Sequence, residues 1–184
     1  GRRDEINTCI ACNQACLHHT FSMKTTSCLV NPRACHETML SYEPTTSPKS
    51  VAVIGAGPAG LAYSTVAAER GHKVTLFDAA DEIGGQFNLA KRVPGKEEFH
   101  ETLRYYSKML DKLNVDVRLG ERVSAADLEG QGFDHVVVAT GITPRVPDIK
   151  GIDHPMVVGY IDAIMGRKPI GKKVAVVGAG GIGF

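Results

Sequence analysis

The chain has 184 residues, 43% of them hydrophobic, with 20 glycines, five cysteines and a formal net charge of +1, which points to one domain of ordinary size or one and a fraction. Acidic and basic residues balance and no face-sized basic block occurs, which excludes nucleic acid and anionic membrane surfaces as partners. No apolar run approaches the roughly 18 residues of a membrane span and no signal peptide heads the chain, so a cytoplasmic protein is expected.

The first residue is Gly1 rather than Met, and the last ones, Gly183-Phe184, fall inside a glycine motif. The chain therefore reads as an internal piece of a longer polypeptide.

All five cysteines, Cys9, Cys12, Cys16, Cys28 and Cys35, lie towards the N-terminus. The first four have the spacing C-x2-C-x3-C-x11-C. Three thiolates on one wrapped loop and a fourth from a returning segment suit a cubane iron–sulfur cluster. Structural zinc is the main competitor, although zinc sites usually pair two short knuckles and the second half here offers one cysteine. A disulfide framework is the third reading, opposed by the odd count and the missing secretory signal. Cys35 falls outside the pattern and is expected to be a small buried hydrophobe. His18 and His19 read as polar loop residues, and Met23 as a packing residue. Residues 41–50, with Pro44 and Pro48, form a polar connector between a cluster segment (residues 1–43) and a nucleotide domain (residues 44–150).

Val51-Ala-Val-Ile54 reads as a buried parallel strand. It runs into Gly55-Ala56-Gly57-Pro58-Ala59-Gly60, and a helix is predicted from about Pro58 to Arg70. In G-x-G-x-x-G the first glycine permits the turn, the second lets backbone approach a pyrophosphate, and the third lets helix pack on strand. The helix N-terminus offers free N–H groups and the positive end of its dipole. Gly71 ends the helix, Lys73–Phe77 reads as the next strand, and Asp78-Ala79 stands where an acid accepts hydrogen bonds from an adenosine ribose. This is a dinucleotide motif in its full context.

Beyond it, Gly84-Gly85-Gln86 permits close backbone approach to a ligand, and Lys91 or Arg92 can neutralise phosphate. Residues 96–113 are predicted helical, with Phe99, Leu103, Tyr106, Leu110 and Leu113 on one stripe. Short strands are expected at 115–118 and around Val123. Residues 133–141 read as a buried strand ending in Ala139-Thr140-Gly141, small residues that let the strand end lie against a cofactor. His135, at its start, reads as an edge or satisfied core histidine. A connection with a short helix near Tyr160–Met165 follows. Then residues 172–183 repeat strand and glycine motif, with Gly178, Gly180 and Gly183 as the start of a second Rossmann-like domain (residues 151–184). Tandem motifs imply one flavin dinucleotide and one nicotinamide site, the arrangement that moves hydride between them.

The segments Thr8-Cys9-Ile-Ala-Cys12-Asn-Gln-Ala-Cys16, Ser27-Cys28-Leu-Val-Asn-Pro-Arg-Ala-Cys35 and Val53-Ile-Gly-Ala-Gly-Pro-Ala-Gly60, with Gly84-Gly-Gln-Phe-Asn-Leu-Ala-Lys91 and Pro94-Gly-Lys-Glu-Glu-Phe99, resemble bacterial NADPH-dependent 2,4-dienoyl-CoA reductases over essentially the whole chain. Trimethylamine dehydrogenase and the clostridial 2-enoate reductases are similar at greater distance. The resemblance implies an α/β FAD/NAD(P)-binding domain with a parallel sheet, preceded by a 4Fe-4S segment, and an FMN barrel elsewhere in the polypeptide. It implies electron flow from NADPH to FAD, singly through the cluster, to FMN, which reduces an enoyl- or dienoyl-CoA of fatty-acid oxidation. It further implies Cys9, Cys12, Cys16 and Cys28 as cluster ligands. Gly55 to Gly60 would then hold the FAD pyrophosphate and Asp78 its ribose, with Gln86 and Lys91 or Arg92 further along the dinucleotide. Val123 would meet the adenine through its backbone, and Gly178 and Gly180 would begin the NADPH site. Barrel and substrate acid are not in this sequence, so this piece alone is not expected to reduce a dienoyl-CoA. No oligomeric state is implied.

Overall fold

A computed structural model describes residues 1–181 and 183. It divides into two compact units, residues 1–141 and residues 142–184.

The first unit opens with a 3-10 turn at Arg3–Glu5 and a short helix α1 (Leu17–Phe21), then forms β1 (Ser50–Ile54), α2 (Pro58–Glu69), β2 (Lys73–Phe77), α3 (Phe87–Ala90), α4 (Phe99–Lys112), β3 (Asp116–Arg118), α5 (Ala125–Leu128) and β4 (His135–Val138). The four strands make one parallel sheet in the order β3-β2-β1-β4. This is a Rossmann-like α/β arrangement, and β1 lies inside it. Val51, Ala52 and Val53 are accordingly buried whichever face they point to, which is why β1 is apolar without alternation.

One face of the sheet carries the core. Val51 and Val53 pair in register with Val74 and Leu76, and the four cluster with Leu61 and Ala67 of α2 and Leu110 of α4. Each such buried aliphatic side chain is worth about 1.5–3 kcal/mol against exposure. Leu61→Ala, at a fully buried position of this layer, is expected to cost about 2–5 kcal/mol. On the opposite face Phe77 is covered by Phe133 edge-on, ring centroids 6.2 Å apart, and by the Arg118 guanidinium 5.3 Å from its ring centre.

Five expectations need correction. The strand at 133–141 forms only at His135–Val138 and is not buried: Val138 is 75% exposed and Val136 49% exposed. β4 is an edge strand, and its outer face has no helix of this unit against it. No strand forms around Val123, because Ser124 and Asp127 make a capping box that opens α5 and draws the chain into a helix. Residues 172–177 form no strand: Lys172 and Lys173 lie in a bend, and no described residue of the second unit supplies a strand beside 174–177. Cys35 is exposed, set in a run of turns with φ of +61°. Met23 is 94% exposed. It occupies the left-handed position of a Schellman ending to α1, with Met23 N–H on Thr20 O and Lys24 N–H on His19 O, which points it outward.

In the second unit, a short helix α6 (Tyr160–Ile164) forms where one is predicted. Among the described residues no helix is long and apolar enough to cross a membrane.

Candidate functional site

The glycine loop sits where β1 leaves the sheet. Gly55 has φ of +111°, and a Cβ there would collide with the Ala139 carbonyl at the end of β4. A Cβ on Gly60 would run into the Gly55 carbonyl. The third glycine is thus required by the turn itself, with Ala139 Cβ as the next neighbour at 3.5 Å. Gly57 is different. Its φ of −76° suits any residue and nothing lies within 4 Å of a Cβ placed there. Neither fold nor backbone strain demands glycine at 57, and the space over the loop is open.

Gly57 is the N-cap of α2, with no side-chain cap, and the first turn holds no acidic residue. The N–H groups of Pro58's successors, Ala59 and Gly60, open the helix toward the loop, leaving donors and dipole available to an anion. Asp78, at the end of β2, closes the loop from the other side: Oδ2 accepts from Ala56 N–H at 2.6 Å and Oδ1 from Ala80 N–H at 2.8 Å. Ala79 is exposed between them. Glu121 N–H and Gly120 N–H bond back to the carbonyls of Asp78 and Ala80. Val123 therefore follows a segment moored at the Asp78 end, half-buried and outside any strand.

A second glycine pair lies on the first loop. Gly84 N–H donates to Ala56 O at 2.7 Å, and a Cβ on Gly85 would stand 3.0 Å from Gly57 Cα. Gly84 itself has no room, with Leu103 of α4 at 2.8 Å from such an atom. Gln86 is exposed at the start of α3. The Lys91 ammonium turns inward onto Asn88 Oδ1 at 2.7 Å, with Glu82 at 3.7 Å, while Arg92 is exposed. Ala139, Thr140 and Gly141 follow β4 and abut the Gly55 turn through Ala139.

Cys9, Cys12, Cys16 and Cys28 line one cavity, with Ala15 and Val30 among its walls. Asn7 Nδ2 donates to Val30 O at 2.7 Å and Ser27 N–H to Ala15 O at 2.8 Å, joining the two halves that carry the thiols. Ala11 N–H points at Cys9 Sγ, 3.3 Å away, from a backbone with φ of +53°. Among the described residues no three Cys, His, Asp or Glu side chains stand close enough to share one ion. Four thiols around one cavity are a donor set of the kind that holds either an iron–sulfur cluster or a zinc ion.

The second glycine motif repeats the local turn. Gly178 has φ of +115°, Gly183 N–H bonds to Gly180 O at 2.9 Å, and a Cβ on Gly183 would meet the Gly178 carbonyl.

Sequence reading missed three groups. Asn88 is buried and holds Ile83 O as well as Lys91. Thr102 and Ser64 are buried on α4 and α2 with hydroxyls lacking a hydrogen-bond partner. Arg104 reaches residues 98 and 100 positions away. Only Asn88 stands in a motif, the Gly84–Lys91 segment, where nothing marks it as a buried partner of Lys91. The apolar stripe of α4 marked its inner face, and Thr102 beside it carried the only local signal.

The family model described as pyridine nucleotide-disulphide oxidoreductase matches residues 49–184. The chain belongs to this family. A metal reductase of Desulforamulus reducens is 40% identical over 188 residues, covering 100% of this chain and 28% of the relative. The structure of 2-naphthoyl-CoA reductase in complex with 2-naphthoyl-CoA superposes with a TM-score of 0.87 at 37% identity, over 91% of this chain and 26% of that one. 6-Hydroxypseudooxynicotine amine oxidase from Pseudomonas geniculata superposes with a TM-score of 0.78 at 34% identity, over 90% of this chain and 27% of that one. This member of the pyridine nucleotide-disulphide oxidoreductases spans about a quarter of the length of each.

Proposed function

We propose that the chain is the electron-transfer part of an NADPH-dependent oxidoreductase that reduces an unsaturated acyl-CoA, passing electrons from NADPH through FAD and a 4Fe-4S cluster to an FMN barrel elsewhere in the polypeptide. The observation that carries this reading is the presence, in one compact unit, of four thiols around a single cavity and an uncapped glycine loop closed by Asp78. A bound flavin supplies the exchange between two-electron hydride transfer and one-electron steps, and a cluster accepts single electrons.

In this reading the thiolates of Cys9, Cys12, Cys16 and Cys28 hold the cluster, and Ala11 N–H polarises the Cys9 sulfur. The Gly55–Gly60 loop and the start of α2 hold the pyrophosphate, and Asp78 keeps the loop shut while facing the ribose. The second motif at Gly178, Gly180 and Gly183 receives the nicotinamide dinucleotide. The acyl-CoA is favoured by the likeness to 2-naphthoyl-CoA reductase. An amine substrate is the second reading, favoured by the likeness to an amine oxidase.

The test is iron, sulfide, zinc and flavin analysis of protein purified without oxygen, with its visible spectrum. Iron and sulfide together with flavin bands are expected, and Cys12→Ser is expected to lose the iron. Zinc with no visible absorption overturns the relay. NADPH oxidation by the full polypeptide, with dienoyl-CoA or amine as partner substrate, then decides between the two substrate classes.

A further inference from the structure

The cysteine segment is joined to the nucleotide domain covalently by a stretch with no helix or strand, residues 41–49. From sequence alone it reads as a polar connector between the two segments. The structure instead ties the segment to α4. Arg104 donates from Nη1 to Asp4 O at 2.8 Å and from Nη2 to Ile6 O at 3.0 Å, while Nε is held by Glu101 Oε2 at 2.8 Å. About two turns further along the same helix, Lys112 Nζ meets Glu5 Oε2 at 2.5 Å, and Arg2 meets the same oxygen. The next side chain along, Asn7, holds Val30 O, two residues from Cys28.

The helix also serves the other site. Leu103, beside Arg104 in sequence, backs Gly84, and Gly84 is bonded to Ala56 in the glycine loop. Leu110 of the same helix is buried in the core. A single rigid element thus touches the strap of the cysteine cavity with one residue and the support of the dinucleotide loop with its neighbour.

We infer that Arg104 is a positioning residue that docks the cysteine segment on α4 and so fixes the geometry between cysteine cavity and dinucleotide loop. This rests on the electron-relay reading. The step it serves moves one electron, leaving the flavin oxidised by one and the cluster reduced by one, with reducing equivalents supplied by a nicotinamide hydride donor. Planar guanidinium geometry is needed, because one group must span two carbonyls and a carboxylate at once.

The experiment compares Arg104→Ala, Arg104→Lys and Lys108→Ala, the last an exposed control on the same helix, in the intact protein carrying its cofactors. Amide exchange at Glu5 and Ile6 is expected to rise about tenfold or more in Arg104→Ala as the strap opens locally. The rate of flavin-to-cluster electron passage is expected to fall about tenfold or more as the held geometry is lost. Iron content, flavin content and midpoint potentials should stay as in the unaltered protein, with partial recovery in Arg104→Lys and no change in Lys108→Ala. Unchanged exchange in Arg104→Ala overturns the docking. Faster exchange with an unchanged electron-passage rate, or a rate that falls only in step with iron loss, overturns the positioning role. Zinc in place of iron in the unaltered protein overturns the relay reading and this role with it, while the exchange result still decides whether Arg104 docks the segment.

Discussion

Residues 51–60 and 174–183 are nearly the same ten letters, Val-Ala-Val-Ile-Gly-Ala-Gly-Pro-Ala-Gly and Val-Ala-Val-Val-Gly-Ala-Gly-Gly-Ile-Gly. Their turns agree too: φ is +111° at Gly55 and +115° at Gly178, and the last glycine of each is pressed against the carbonyl of the first. Their surroundings differ. Val53 is fully buried between two paired strands, and Val176 is 67% exposed with no strand beside it among the described residues. A Cβ on Gly55 would strike Ala139, whereas one on Gly178 meets nothing within 4 Å. The turn is a property of ten residues. The site is a property of the sheet that presents them.

Substitutions separate the two levels. The largest effect is expected from Gly60→Ala, whose added methyl meets the Gly55 backbone inside a packed layer. A loss of about 3 kcal/mol or more in denaturant unfolding is expected from such a clash. Gly183→Ala, with the same local contact, should leave the unfolding midpoint of the first unit unmoved. Equal losses in both would break the comparison. Next comes Asp78→Ala, which strips the acceptor from Ala56 N–H and Ala80 N–H. It should cost about 2 kcal/mol, the scale of a lost charged hydrogen-bond acceptor, and weaken flavin retention after desalting.

Smaller effects sharpen the account of the packed unit. Thr102 buries a hydroxyl with no partner between α4 and the core. Thr102→Val keeps the shape and is expected to stabilise the first unit by about 1 kcal/mol, read from its thermal midpoint. The Tyr106 hydroxyl is pushed up to about 12, first by burial and then by Tyr105 and Tyr42. Its neutral form is the one the fold accepts, so stability should be constant below about 10, the ordinary tyrosine value, and decline as pH rises from there towards 12. Tyr106→Phe should flatten that decline. The Glu5 carboxyl is lowered to about 2 by Arg2 and then Lys112. Its contribution to the strap is present above the ordinary carboxylate range and is lost as pH falls towards 2, visible as faster amide exchange at Glu5 and Ile6.

Much of the first unit was legible in the sequence because its signals are local. The apolar run 51–54, the glycine spacing, Gly71 and Asp78 all act within a few residues of where they stand, and strand, helix and turn follow them. β4 was legible as a strand but not in its burial, since burial depends on what covers the sheet rather than on Val136 and Val138 themselves. Val123 illustrates a competing local signal, the Ser124–Asp127 box, that favours a helix start over a strand. The inward turn of Lys91 onto Asn88, and the reach of Arg104 to Asp4 and Ile6, are tertiary pairings that no spacing rule encodes. The cysteine spacing named four residues, and the structure lines one cavity with all four.

The measurement that tests the central claim most directly is flavin retention in Gly57→Ala beside Gly178→Ala, each set against its thermal midpoint. Gly57 has an ordinary backbone and open space above it, so the fold itself does not require glycine there, and the proposed dinucleotide site does. The account predicts that Gly57→Ala folds with stability lowered by no more than about 1 kcal/mol, the scale of replacing a glycine N-cap by alanine, and loses its flavin, while Gly178→Ala keeps it. Full flavin retention in Gly57→Ala, or equal loss in both variants, would contradict it.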